Sequence, residues 1–281
     1  MEGSAAADRW QQLASASADE VSIAEGALLI AAEEYRGLDV EGYLARLDEM
    51  GGTLRRRLRS DISTRDALIA LNRYVFDELG FRANADDYYD PRNSFLNDVI
   101  ERRLGIPITL SVVYIEIGRR IGLPLHGVSF PAHFLVKCTL RDGAIVLDPY
   151  ARGASLSMEE LQKRLQSFVS VTEISSELLA STLAATPPQE IFVRILRNLR
   201  AIFTTKGERL KALWTYDRML ALKPEEADEY RERAELYVEL ECARAALADF
   251  RHYLKLNPAA DDQASVKLRI AELEPLAARL N

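Results

Sequence analysis

Few side chains in this sequence have both the type and the position that chemistry needs. His133 stands at the start of one predicted strand and Asp148 at the end of the next. An imidazole beside a carboxylate can exchange protons with a ligand, and the same pair can simply tie two strand ends together. Thr109 and Ser111 lie in the first turns of a predicted buried helix, where a hydroxyl shares the partial positive charge of the helix N-terminus. We expect the Thr109 hydroxyl to satisfy free backbone N–H groups there, so Thr109 is only a weak candidate nucleophile.

The two cysteines offer little chemistry. Cys138 falls on the strand predicted over 133–140, where alternation places it on the apolar face, and we expect it to be a small buried hydrophobe. Cys242 follows 104 residues later, so the pair favours a reducing compartment over a disulfide framework. With three histidines in the chain, a Cys/His zinc site is disfavoured.

Cofactor sites are not indicated elsewhere. Asp86, Asp87 and Asp90 lie close together, but the segment lacks the glycine and the terminal glutamate of a calcium loop, and we expect a solvated loop. The sequence also has no glycine-rich phosphate loop. We therefore expect no metal and no cofactor.

The first predicted elements of the chain are helices, and they must help to position these residues. Apolar residues at helical spacing predict a helical region over about residues 8–80, including a helix over 64–79. Residues 81–93 are predicted as a loop, and helices are predicted over 94–104 and 109–121, the latter apolar on most sides and therefore central.

Strands follow the central helix and are predicted over 125–130, 133–140 and 144–148, with Asp142-Gly143 as the turn between the last two. Helices followed by strands indicate an α+β domain. A tight turn at Asp142-Gly143 would set Asp148 near Lys137, roughly 13 Å from His133. A bulge or a wider turn is needed to bring the two together.

The last third of the chain contains an internal repeat. The positions of Ala212, Tyr216 and Pro224 recur 34 residues later as Ala246, Phe250 and Pro258. This is the period of tetratricopeptide repeats, and two units plus a final helix over Asp262–Leu280 fit the space. With a linker predicted over 182–189, the domains are 1–184 and 190–281. The repeat helices can be a scaffold or can form a peptide-binding groove.

The motifs around the central helix occur in a recognisable order. Gly105-Ile106-Pro107 opens the helix, Gly122-Leu123-Pro124 closes it, Pro131-Ala132-His133 begins a strand and Leu147-Asp148-Pro149-Tyr150 ends the next. This order resembles the transglutaminase-like superfamily. The run from Asn93 through Glu101-Arg102-Arg103 to Leu110 resembles the bacterial SirB-type proteins, which join such a domain to tetratricopeptide-like helices. From about residue 40 onward the resemblance implies an α+β, cysteine-peptidase-like domain followed by an all-α array.

The resemblance also assigns roles. In that superfamily a helix N-terminus lowers the pKa of a catalytic cysteine, a histidine takes its proton and an aspartate fixes the imidazole tautomer. The resemblance implies that His133 is this histidine and Asp148 its orienting acid, as a retained or vestigial dyad. In the superfamily the nucleophile stands about fifteen residues before the glycine that follows its helix. Here that glycine is Gly122, so the resemblance implies Pro107 at the nucleophile position, and a proline cannot attack a carbonyl.

Four further polar residues belong to the SirB-like motif: Asn93, Asn97, Glu101 and Arg103. Since they lie next to the buried helix that begins near Pro107, they are either hydrogen-bonded braces or the rim of a groove. We expect braces.

Net charge and the first eight residues indicate which partners and which compartment to expect. The net charge is −7, with Lys and Arg interspersed among Asp and Glu, so we expect neither nucleic acid nor anionic membrane as a partner. Residues 1–8 have neither a basic region nor an apolar run, so we expect a cytoplasmic protein.

Three functions fit these observations. We expect a transglutaminase-like protein without the usual cysteine that recognises a protein or peptide partner, with the repeats adding contact surface. The alternative is a cryptic amide hydrolase or acyl transferase acting on proteins or peptides through His133 and Asp148. A third possibility is structural support of a larger complex. Pro107 argues against an enzyme without deciding the question, and the sequence gives no oligomeric state.

Overall fold

The computed structural model describes residues 2–17, 21–169 and 174–278 of the 281-residue chain. The chain divides into two compact units, Met1–Ile195 and Leu196–Asn281. The division falls inside one helix, and the domain limits expected from the sequence, at residues 184 and 190, stay a prediction. The α+β domain followed by an all-α array is confirmed.

Four helices open the N-terminal unit. They are α1 (Glu2–Ser15), α2 (Ile23–Glu34), α3 (Val40–Arg57) and α4 (Thr64–Asn72). Ser22, Asp39 and Ser63 begin α2, α3 and α4, because their side-chain oxygens accept hydrogen bonds from first-turn N–H groups. After α4 the chain continues as a π-helical segment, Arg73–Glu78. The helix expected over 64–79 is therefore present, but it changes type halfway.

The loop expected over 81–93 contains short regular pieces that the sequence did not indicate. Strand β1 (Arg82–Ala83) pairs in parallel with β2 (Leu104–Gly105), and Pro91–Asn93 forms a 3₁₀ turn. Helix α5 (Leu96–Arg102) is shorter than the predicted helix over 94–104. The loop is thus tied to the segment that leads into the central helix.

The central helix α6 (Pro107–Arg120) begins two residues before its predicted start. Proline suits the first helical position, since its missing N–H would have no partner there and its φ is already helical. Residues 107–118 of α6 are all buried, as expected from its apolar surface. The helix packs against α3 and against the sheet that follows.

The sheet has four antiparallel strands in chain order. They are β3 (Leu125–Val128), β4 (Leu135–Leu140), β5 (Gly143–Asp148) and β6 (Ala154–Leu156), and the last was not predicted. Leu140 pairs with Gly143, so the turn is Arg141-Asp142 and not Asp142-Gly143. This pairing also puts Leu147 opposite Val136, so Asp148 lies beyond Val136 and not near Lys137. The predicted register was wrong by two residues, in the direction that brings Asp148 towards His133.

The sheet and two further helices enclose a separate part of the core. Helices α7 (Met158–Gln166) and α8 (Ser176–Thr182) contribute Leu161, Leu165 and Leu179 to a buried cluster with Val128, Phe130, Leu135 and Val146 of the sheet region. Apolar burial of this kind stabilises the layer by roughly 25 cal/mol per Å². It fixes α7 against the strands that carry the candidate site.

Helix α9 (Pro188–Lys206) runs through the division between the units. The C-terminal unit continues with α10 (Arg209–Leu222), α11 (Ala227–Glu239), α12 (Ala243–Leu256) and α13 (Gln263–Ala278). Ala246 and Phe250 are fully buried in its core, as the repeat predicted. The final helix was predicted to reach Leu280, which lies outside the described residues. None of the helices in the described part of the chain is long and apolar enough to cross a membrane.

Candidate functional site

His133 is positioned by a tight turn before β4. Ala132 adopts a left-handed conformation, with φ of +52°. The backbone N–H of His133 donates to the carbonyl of Phe130 at 3.0 Å and closes the turn. The imidazole thereby lies just before the start of β4, at the strand end that Asp148 reaches from β5.

Asp148 ends β5 and begins the 3₁₀ turn Pro149–Ala151. Its Oδ1 atom accepts backbone hydrogen bonds from Tyr150 at 3.1 Å and Ala151 at 3.3 Å. The N–H of Gly153 donates to the Asp148 carbonyl at 2.8 Å. Gly153 has φ of +73°, and a Cβ at this position would overlap the side-chain amide of Asn72. The carboxylate is thus held by its own turn, in addition to its side-chain partners.

The two side chains are in direct contact. His133 Nε2 lies 2.9 Å from Asp148 Oδ1, and Arg164 Nη1 of α7 donates to Asp148 Oδ2 at 3.2 Å. Burial alone would raise the pKa of Asp148, but the hydrogen bonds from His133 and Arg164 and the nearby charges outweigh it and hold the pKa below its usual value. An ionised Asp148 keeps the proton of the neutral ring on Nε2. Nδ1 is therefore the basic nitrogen of His133.

One tyrosine lies beside the ring, and two more lie in the 84–93 loop. Tyr150 meets His133 edge to face, with ring centroids 5.9 Å apart. Tyr88 and Tyr89 form a second edge-to-face pair at 5.3 Å, and Tyr89 is 71% exposed. His133 itself is 21% exposed, whereas Asp148 is 4% exposed. The imidazole is the part of the dyad that a ligand can reach.

The helix start holds no free nucleophile. Pro107 is the first residue of α6 and is buried. The Thr109 hydroxyl, also buried, donates to the Asn93 carbonyl at 2.6 Å and accepts from the Ile106 N–H at 3.2 Å. The Ser111 hydroxyl is buried and lies 3.5 Å from the Phe134 carbonyl. Thr109 therefore has its hydrogen bonds satisfied by the backbone.

No hydroxyl or thiol among the described residues forms a hydrogen bond with the His133 ring. Cys138 is fully buried, and burial raises the pKa of its thiol, which disfavours the reactive thiolate. Val136 and Leu140 share its face of β4, as expected for a small buried hydrophobe.

Asn93 braces the loop that carries Tyr88. Its Nδ2 donates to the carbonyls of Asp87 at 2.7 Å and Tyr88 at 3.2 Å, and its Oδ1 accepts from Asn84 at 3.0 Å. Asn93 is fully buried. The geometry is that of a brace, and it fixes where Tyr88 stands.

The other motif residues lie away from the dyad. Glu101 pairs with Arg46 and accepts from the Tyr43 hydroxyl at 3.1 Å. Arg103 stacks its guanidinium 4.6 Å above the Phe81 ring. Asn97 is 5% exposed, and its Oδ1 has no hydrogen-bond partner in the described part of the chain. None of these three residues is hydrogen-bonded to His133 or Asp148.

The aspartates of the 84–93 loop do not converge. Asp90 pairs with Arg92 at 2.8 Å and with Arg102 at 3.1 Å, whereas Asp86 and Asp87 are exposed. Over the described ranges, no group of three histidine, cysteine or acidic side chains is arranged to hold a metal. The pair of His133 and Asp148 can bind a ligand or exchange protons with it, and His133 is the residue that would do so.

A groove of about 860 Å³ lies within the C-terminal unit, between α10, α11 and α13. Charged side chains of both signs line it and pair across it, as in Arg209–Glu239 at 2.7 Å and Arg231–Asp262 at 3.1 Å. Leu268 also lines the groove and is 67% exposed. The groove thus presents one exposed leucine among paired charges.

Sequence reasoning missed Arg164 and Tyr88 as neighbours of the site. Tyr150 had a signal, since it follows Asp148-Pro149 directly. Arg164 had none, because it contacts Asp148 from α7. Tyr88 had none either, because it lies near Tyr150 from the separate 84–93 loop.

Comparison with known proteins matches both parts of the chain. Residues 41–197 match the model of the transglutaminase-like superfamily, and residues 199–271 match a tetratricopeptide repeat model. No solved structure matches the chain.

Relatives are found in bacteria and in animals. A UPF0162 protein of Xylella fastidiosa is 38% identical over 94% of each chain, and one of Pseudomonas aeruginosa is 35% identical over 91% of this chain and 92% of its own. The human protein F-box only protein 21 is 29% identical over 62% of this chain and 28% of its own.

Proposed function

The chain belongs to the transglutaminase-like superfamily and to the UPF0162 family, and from that premise we propose that it is a protein-recognition module. The transglutaminase-like unit binds a peptide segment of the partner beside His133, and the repeat helices bind the partner through their groove. The protein works without the cysteine chemistry of its superfamily and stays in the cytoplasm.

One observation carries the proposal. At the start of α6, where the superfamily resemblance puts a nucleophile, stands Pro107, and the nearby Thr109 hydroxyl is fully occupied by backbone groups. An ordinary acyl-enzyme step needs an activated nucleophile next to the histidine. With that position closed, the exposed imidazole and its tyrosines serve to contact a ligand.

The repeat groove supports the same function. Tetratricopeptide-type helices offer extended surfaces for partner binding. Here half of the residues that line the groove are charged, and several of these pair with each other, which orders them before a partner arrives. Ordering in advance lowers the entropic cost of binding.

The test is capture of partners from a cell lysate with the full chain. Leu268→Arg alters the groove, and Leu210→Arg is the matched control, since Leu210 is 72% exposed on the same unit but does not line the groove. We expect a specific set of proteins that Leu268→Arg loses and Leu210→Arg retains. Equal capture by both variants contradicts the groove part of this function, and no capture by the unaltered chain contradicts the recognition role.

A second function rests on the 2.9 Å contact between His133 and Asp148. In an amide hydrolase without a covalent step, Nδ1 of His133 takes a proton from water while the water oxygen attacks the amide carbonyl. The C–N bond then breaks, the imidazolium returns the proton to the leaving amine, and a carboxylic acid and an amine result. Asp148 stabilises the imidazolium that forms in between.

A further inference from the structure

Arg194 of α9 has an unusual environment. Its side chain is half-buried, and its Nη1 donates to the Ser129 hydroxyl at 2.8 Å and to the Phe130 carbonyl at 3.2 Å. Both acceptors are neutral. They hold the guanidinium in one orientation without compensating its charge.

No carboxylate in the described part of the chain forms an ion pair with Arg194. The protein has 36 basic and 43 acidic residues, and many of its other arginines pair with carboxylates, as Arg164 does with Asp148 at 3.2 Å. A partly desolvated cation without a counter-charge is unfavourable. Burial accordingly lowers the pKa of Arg194. Its Nε and Nη2 groups make no hydrogen bond with any described residue.

The position of Arg194 connects it to the candidate site. Phe130, whose carbonyl it binds, is also the acceptor that closes the turn of His133. Tyr88 is near both Tyr150 and Arg194, because burial and then Tyr150 raise the pKa of Tyr88, whereas the charge of Arg194 partly offsets the rise. Tyr150 in turn meets the His133 ring edge to face. The Arg194 guanidinium and the His133 imidazole are thus each near one of these two tyrosines.

We propose that Arg194 binds a carboxylate of the partner peptide, and that the peptide lies along Tyr88 and Tyr150 with this carboxylate at one end and His133 at the other. The inference rests on the proposed function and names the chemistry of its ligand. A guanidinium pairs with a carboxylate through two parallel hydrogen bonds, and Arg194 has Nε and Nη2 free for them. The carboxylate belongs either to the chain end of the peptide or to an internal acidic side chain.

The test measures fluorescence polarisation of three labelled octapeptide pools on the full chain. One pool has a free C-terminal carboxylate and no Asp or Glu, one is amidated with a single internal Glu, and one is amidated with Gln in place of that Glu. We expect about tenfold tighter binding of one carboxylate pool than of the Gln pool, as for a charge-assisted contact of about 1.4 kcal/mol. The pool that binds tightly identifies the source of the carboxylate.

Arg194→Gln should reduce binding of that pool about tenfold, to the level of the Gln pool. Arg65→Gln is the matched control, since Arg65 is exposed on α4 and its side chain makes no ion pair or hydrogen bond with any described residue. Arg194→Lys keeps the charge without the paired donors and should keep part of the preference, which distinguishes lost recognition from lost folding. Thermal unfolding of each variant accompanies the measurement.

Three outcomes overturn the inference: equal binding of all pools, no binding of any pool, or a preference that survives Arg194→Gln. If all pools bind equally while partner capture still depends on Leu268, only the carboxylate inference fails. If the pools show the preference while lysate capture ignores Leu268, the groove part of the proposed function fails instead.

Discussion

Arg164 of α7 binds the oxygen of Asp148 that His133 does not contact: its Nη1 lies 3.2 Å from Oδ2, while His133 Nε2 lies 2.9 Å from Oδ1. The carboxylate thereby joins a helix, a strand end and a turn. A residue with this many partners stabilises the fold whether or not the domain acts on a substrate. Stability and activity of variants must therefore be measured separately.

Removing the Asp148 carboxylate should destabilise the N-terminal unit. Asp148→Ala leaves Tyr150 and Ala151 N–H groups, His133 and Arg164 without their acceptor, and we expect a loss of about 2–4 kcal/mol in the free energy of unfolding. Urea denaturation followed by circular dichroism measures it. Asp142→Ala, in the exposed turn between β4 and β5, is the control and should change the free energy of unfolding by less than about 0.5 kcal/mol. A loss at 148 no larger than at 142 contradicts this role.

The same carboxylate predicts a pH dependence. Because the folded-state pKa of Asp148 is lowered, its contribution to stability is fully present above the unfolded-state value of about 3.9 and is lost as pH falls through the folded-state pKa. The free-energy difference between the unaltered protein and Asp148→Asn should therefore shrink from about pH 4 downward. Urea midpoints at several pH values test this, and a constant difference down to pH 2 would falsify the shift.

Thr109 should behave as a structural residue. Thr109→Val removes the donor to Asn93 and the acceptor for Ile106 while keeping the shape, and we expect a loss of about 1–3 kcal/mol in the free energy of unfolding. Thr109→Ser keeps the hydroxyl and should lose much less. Neither variant should alter peptide binding once folded. If folded Thr109→Val loses a peptide-dependent activity that Thr109→Ser retains, Thr109 acts as a nucleophile after all.

His133 separates recognition from hydrolysis. Under the proposed function, mass spectrometry of a peptide mixture incubated with the protein should detect equal background cleavage for the unaltered chain and for His133→Ala. Binding of the tightest peptide pool should meanwhile weaken, because the ring contacts the ligand. Cleavage that His133→Ala loses, with unfolding unchanged, would establish the hydrolase in place of the recognition module. His126→Ala, on β3, controls for loss of an imidazole.

Local patterns in the sequence predicted most of the elements. The apolar run of α6, its buried character and the alternation of β4 follow from residue types alone, since burial imposes a period on the chain. The turn between β4 and β5 was harder to predict. Gly143, with φ of +149°, starts β5 and pairs with Leu140 instead of lying in the turn. Two residues of register cannot be read from a pattern that repeats every two residues.

Residue order alone was enough to predict the division into an α+β part and a helical array, the candidate dyad and the lack of a cysteine at the start of the central helix. Composition, periodicity and motif order encode these features locally. The contact between His133 and Asp148, the second contact from Arg164 and the occupied Thr109 hydroxyl became visible only in the folded chain, as did the lack of a carboxylate partner for Arg194 among the described residues. Each contact brings atoms from distant segments to within about 3 Å, a distance set by the packing of helices and sheet and not by any one segment.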